Sequence, residues 1–190
     1  ASTVLQTCAY WGNADQCQFC GIGLSLDAKR TVAKKRPEQL AEVAVAAKEL
    51  DGAVDATLTT GSTTGIDKGA LYVARCGAAV KEAAGLPVEV QFEPPDDLDV
   101  NNRVHDMGID SVGIHVETFD PAVLERIAPA KARTGIEGYF ERWMPQAHVL
   151  DQAFRWRAKI DPDELEYLLC TLFRLDARLD ARQGQRRPAY

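Results

Sequence analysis

Four short stretches that alternate apolar and polar residues recur along this chain, and a helical pattern separates each from the next. This recurrence restricts the fold more than any other feature. The stretches are TVLQT (3–7), VDATLTTGS (54–62), VEVQFEPP (88–95) and SVGIHVET (111–118). Between the first two, Pro37 suits a first helical turn, Leu40, Val43, Ala44, Ala47 and Leu50 share one helical face, and Gly52 supplies the stop. A second helix is expected from Asp67 to about Ala84, closed by Gly85 and Pro87. A third is expected from Asp96 to Met107, with acids in its first turn where the helix dipole favours them. Asp120-Pro121 reads as the cap and first turn of a fourth. Strands joined by helical crossovers of this length run parallel.

The strand faces narrow the architecture further. Val54, Ala56 and Leu58 alternate with Asp55, Thr57 and Thr59, and Val88, Val90 and Phe92 with Glu89, Gln91 and Glu93. In the last stretch Val112, Ile114 and Val116 alternate with Ser111, Gly113, His115 and Glu117. A parallel sheet covered by helices on both sides is apolar on both. These strands have one apolar face for helices, and one polar face that either meets solvent or lines the inside of a barrel. The expected fold class is therefore α/β, with about four parallel βα units over residues 1–143 that form either a one-sided sheet or a partial (β/α) barrel of the TIM type, the latter being what the resemblance described below implies. Residues 144–190 read as a helical tail with no fifth strand. Its leucine stripe runs from Leu165 to Leu179, and the tetrad RLDA occurs twice in it, at 174–177 and 178–181.

Composition excludes some function classes. A net charge of −6 argues against non-specific nucleic-acid binding, which requires a basic footprint. No run of eighteen or more apolar residues suggests a membrane span. The first residues, ASTVLQTC, do not read as a secretory signal, and without an initiator Met the chain reads as an excerpt of a longer one. Five cysteines, unevenly spaced, make a poor disulfide framework and a better metal or redox site, so a cytoplasmic location is expected.

Three of those cysteines lie in TCAYWGNADQCQFCGIG (7–23), spaced C-x8-C-x2-C as Cys8, Cys17 and Cys20. Closely spaced thiolates favour zinc or iron–sulfur clusters. Structural zinc takes four ligands, and only three are local. Cys76 or a histidine is the candidate fourth, although Cys76 lies mid-helix and Cys170 lies on an apolar helix, where each reads as a core thiol. A cubane held by three cysteines leaves one iron without a protein ligand, which is the open position that a catalytic metal site needs.

Here the chain resembles a known family. Three cysteines directly after the first strand of a β/α chain, with Phe19 just before the last, are similar to the cluster loop of radical S-adenosylmethionine (SAM) enzymes. TTGSTTG (59–65) resembles the glycine-containing segment that in the family contacts the amino group of SAM, which implies roles for Thr60, Gly61 and Ser62. HVETFDP followed by ERIAPAKARTG is similar to the biotin synthase and lipoyl synthase type, where polar residues of this strand meet the ribose or methionine part of SAM, and His115 and Glu117 hold those places. From TCAYWG to GYFERW the resemblance is closer still to a poorly characterised bacterial branch found in operons that also encode a nitrilase. It covers about residues 3–143. The family's usual first spacing is C-x3-C rather than C-x8-C, and its barrel has at least six strands, so the C-terminal half of the barrel is missing here. The resemblance implies a [4Fe–4S] cluster on Cys8, Cys17 and Cys20, and SAM bound near Phe19, Thr60, Gly61, Ser62, Glu93, His115 and Glu117. It implies reductive cleavage of SAM to a 5′-deoxyadenosyl radical that acts on an unknown small molecule, with a donor such as flavodoxin or ferredoxin supplying the electron.

Each residue also has a plainer reading. Gly61 would serve a tight turn at positive φ, His115 would be a hydrogen-bonded structural histidine, and Glu93 would cap the following helix. Tyr10 and Trp11 would pack the loop or touch substrate. Lys131 and Arg133 would meet the SAM carboxylate or form a solvated cluster, and Lys34, Lys35 and Arg36 a solvated run. His105 and His148 read as surface or satisfied groups. The alternative function is a non-catalytic metal-binding module, zinc or a remnant cluster, with the helical stripe docking a partner. Four strands leave open edges, and dimerisation is expected if nothing covers them.

Overall fold

The computed structural model describes residues 1–143. The tail helices, the leucine stripe, Cys170 and His148 lie outside the described residues. Strands β1 (Ser2–Thr3), β2 (Ala56–Thr59), β3 (Val88–Gln91) and β4 (Ser111–Gly113) form one parallel sheet in the order β1-β2-β3-β4. Ala56 pairs with Val88, and Val90 with Val112. The sheet is open, with β1 and β4 at its edges among the described residues.

The helices are α1 (Ile22–Asp27), α2 (Pro37–Asp51), α3 (Ala70–Ala84), α4 (Val100–Asp106), α5 (Pro121–Ile127) and α6 (Pro129–Trp143). Helix α2 begins at Pro37 and ends on Gly52 at φ 67°, as its sequence predicts, and α3 ends on Gly85 at φ 62°. Asp120 caps α5, accepting from the N–H groups of Ala122 at 2.9 Å and Val123 at 3.1 Å. Helix α3 packs on β2 and β3, flanked by α2 and α4. The core is the expected apolar face: Leu58, Val88, Val90, Phe92, Ile114 and Val116 are buried against Leu40, Val73, Val80, Val100 and Val104. Each fully buried valine contributes about 1.5–3 kcal/mol. Cys76 is fully buried in α3, and burial pushes its thiol up to about 11, as a core cysteine requires.

Several expectations are corrected. Only Leu40 and Ala44 of the α2 face are buried, while Val43 is 64% and Leu50 81% exposed. Helix α2 packs on α3, and only its inner stripe finds a partner there. Val54 is 77% exposed because the strand starts two residues later. The first strand pairs with β2 for two residues only. Beyond it the chain gains a second partner on its other side, with Gln6 N–H donating to Ala33 C=O and Lys35 N–H to Val4 C=O, each at 2.9 Å. Helix α4 starts at Val100, so its acids precede it rather than occupying its first turn. Helix α1, which the sequence pattern does not predict, begins at the end of the cysteine loop. Lys35 is no solvated cation, since its ammonium donates to Thr3 C=O at 2.6 Å.

Asp110 ties the sheet's lower end together. Its carboxylate accepts from the Lys81 ammonium at 2.7 Å and from Val88 N–H at 2.9 Å, and these bonds, Lys81's first, hold its pKa below the ordinary value. The resulting stability is complete above about pH 4, the unfolded value, and is lost as pH falls through the lower folded value. Asp110→Asn is expected to lower Tm at pH 7, and the gap from the parent protein should close below about pH 4. Circular-dichroism melts across pH measure this, and a gap that persists unchanged in acid would contradict the assignment.

Candidate functional site

Parallel strands deliver their C-terminal ends to one rim, so the segments leaving β1 to β4 are brought together there. After β1 the chain enters the cysteine loop, and after β2 it passes Thr60, Gly61 and Ser62. Two backbone hydrogen bonds lace these segments: Gly61 N–H donates to Leu5 C=O at 2.9 Å, and Ala9 N–H to Ser62 C=O at 2.8 Å. Gly61 is not at positive φ, so the turn reading is corrected. Its reason is close approach. A Cβ there would lie 2.0 Å from Thr7 O and 2.8 Å from Ile22 Cδ1. The cysteine loop rests directly on this glycine. Within the loop Trp11 packs over Gly23, where a Cβ would lie 2.1 Å from its Nε1. The loop's far side is held by Gln18 N–H donating to Ile127 C=O of α5 at 2.8 Å.

The rim encloses a cavity of about 290 Å³. Cys8, Cys17 and Cys20 line it together with Phe19, Thr60, Gly61, Ser62, Glu93, His115 and Glu117, so every site residue expected from the sequence meets there. The three cysteines are free thiols and half-buried. Burial pushes the Cys17 thiol up, opposed by the nearby charge of Lys131. Among the described residues no group of three or more His, Cys, Asp or Glu is arranged to hold a single metal ion. A mononuclear zinc site brings every sulfur to about 2.3 Å from one ion, whereas a cubane gives each thiolate its own iron and needs less convergence.

Glu93 and Glu117 are held differently. Glu93 is 8% exposed and does not cap α4. Its Oε1 accepts from the Tyr10 hydroxyl at 3.1 Å, and its Oε2 is buried without a hydrogen-bond partner among the described residues. Burial and the adjacent carboxylate push the Tyr10 phenol up, so it stays protonated and donates. Glu117 lies past the end of β4 at φ 71°, in the left-handed region that non-glycine residues seldom occupy. Thr118 N–H closes back on Val116 C=O at 2.9 Å, making Glu117 the centre of the rarer, positive-φ γ-turn. Such strain persists where the surroundings impose it, commonly at functional sites. Here the Lys131 ammonium meets Glu117 Oε1 at 2.7 Å, with both side chains under one-fifth exposed.

The solvated-cluster reading therefore fails for Lys131, which lines the cavity. Arg133 instead makes a bidentate pair with Asp15, through contacts of 2.5 and 3.0 Å. His105 is an exposed surface residue, as expected. Tyr139 of α6 went unnoticed in the sequence. It is 1% exposed, and its hydroxyl lacks a partner among the described residues. Burial, reinforced by Glu93 and Glu117, pushes its phenol far up. No local pattern marks it, because only the crossing of α6 brings it to the rim.

Replacing Gly61 with Ala is expected to destabilise the protein by about 1–3 kcal/mol, since the new methyl meets backbone that cannot move aside easily. Denaturant titration reads this, and an unaltered midpoint would show that the loop does not rest on Gly61. Neither a family model, a curated protein nor a solved structure matches this chain.

Proposed function

We propose that residues 1–143 are a partial (β/α) barrel that holds a [4Fe–4S] cluster on Cys8, Cys17 and Cys20 and binds SAM beside it. The observation that carries the reading is a cavity at the C-terminal rim that is lined at once by all three thiols and by the polar ends of β2, β3 and β4. The strand order, the one-sided apolar face and the open edges support a partial barrel. When bound, the cluster and SAM would together supply a 5′-deoxyadenosyl radical to take hydrogen from a small-molecule substrate.

The chain's own residues do the rest. The three thiols donate the protein's share of the cluster ligands, and each must lose its proton to do so. The segment at 60–62 is rigid: Thr59 C=O accepts from Val4 N–H at 2.8 Å, Ser62 C=O from Ala9 N–H, and Gly61 C=O from the Thr60 hydroxyl at 3.0 Å. Each carbonyl keeps a second lone pair for an ammonium group of SAM. Glu117 and His115 present polar groups from the β4 side, and Lys131 holds the Glu117 carboxylate in place. Phe19, 54% exposed, adds an apolar wall to the cavity.

Free thiols support a reducing, cytoplasmic setting, and the acidic charge supports partners other than nucleic acid. Among the described residues no helix is long and apolar enough to cross a membrane. An electron donor of the flavodoxin or ferredoxin class is part of this reading, and the β4 edge, open among the described residues, supports a homodimer.

Anaerobic reconstitution should load about four irons and four sulfides per chain, with charge-transfer absorbance that Cys17→Ala abolishes. With dithionite and SAM, 5′-deoxyadenosine should appear. Tightly bound zinc without iron would favour the non-catalytic module instead, and an intact cluster with no 5′-deoxyadenosine would mark a remnant.

A further inference from the structure

A larger cavity, of about 430 Å³, adjoins the first and shares Tyr10 and Glu93 with it. It lies between the cysteine loop, the approach to α3 and helix α6. We propose that this cavity binds a small zwitterion of the amino-acid class, with its carboxylate toward Lys68 and Arg142 and its ammonium toward Glu93. The inference rests on the reading above only in taking this ligand for the substrate.

The charges lining the cavity argue for it. Lys68 and Arg142 share one acid, Asp96, at 3.0 and 3.8 Å, and their side chains are only 19% and 27% exposed. Among the described residues Asp96 is the one carboxylate within ion-pair distance of these two largely buried cations, and charges removed from water need partners. Arg133, which also lines the cavity, is already committed to Asp15. Glu93 presents the opposite need. More than nine-tenths buried, it has one oxygen held by Tyr10 and the other without a donor among the described residues. An unmet buried acceptor is costly, and an ammonium donor would satisfy it. A ligand with a carboxylate at one end and an ammonium at the other meets both demands. The volume falls within the range of small-molecule sites. Because Glu93 borders both cavities, a ligand held there would lie directly beside the cysteine site.

Norleucine is the probe, titrated calorimetrically into the anaerobically purified full chain beside hexanoate, which lacks the ammonium, and pentylamine, which lacks the carboxylate. Norleucine should bind about tenfold more tightly than either. Glu93→Gln should erase its advantage over hexanoate. Lys68→Met should erase its advantage over pentylamine, with Lys68→Arg restoring it. Equal binding of all three probes, no binding of norleucine, or variants that fold by circular dichroism yet bind as the parent does would overturn the proposal. SAM binding to the reconstituted protein should survive Lys68→Met, since Lys68 does not line the cysteine cavity. A chain that holds no cluster but still distinguishes the probes would retain this site and lose only the radical reading.

Discussion

The candidate site depends on a clasp of backbone against backbone. The cysteine loop has little regular structure of its own and would wander if it hung from β1 alone. It is held because Gly61 has no side chain, so Thr7 can lie against it, and because the Gly61 and Ala9 amides are donated across the gap. These bonds join the segments after β1 and β2. Through them the thiols keep a fixed relation to the residues that leave β3 and β4.

Around that clasp the rim collects groups that are costly to bury. Glu93, Glu117, Tyr10, Lys131 and Tyr139 are far apart in sequence, yet they influence one another in a small volume. Some needs are met internally, as in the Lys131–Glu117 pair and the Tyr10–Glu93 hydrogen bond. Others are left over among the described residues: one oxygen of Glu93 and the Tyr139 hydroxyl have no partner, and Lys68 and Arg142 share the one carboxylate of Asp96. A purely structural network would close on itself, since half-satisfied buried polar groups weaken a fold. The strained turn at Glu117 points the same way, because that conformation has to be imposed by its surroundings.

The opposite end of the sheet is held by ordinary means. Asp110 and Lys81 stitch β3, β4 and α3 together, and apolar burial between sheet and helices supplies most of the stabilisation. The division matches parallel βα architecture, in which one end secures the fold and the other carries the variable chemistry.

The sequence alone determined the parallel βα order, the apolar sheet face and the meeting of the cysteines with residues 60–62, Glu93, His115 and Glu117. Strand alternation, helix stops and Asp120-Pro121 are local signals, and parallel strands must end on the same side. Tertiary structure alone decided the rest. Val43 and Leu50 match a helical stripe yet face outward, because α2 rests on α3 along a stripe narrower than the one its sequence outlines. Lys131 and Tyr139 belong to the rim because α6 crosses it, and Gly61 matters because a distant carbonyl rests on it rather than because its own torsion is unusual. Local propensity acts within a few residues, whereas burial and close approach arise only once separate segments occupy the same space.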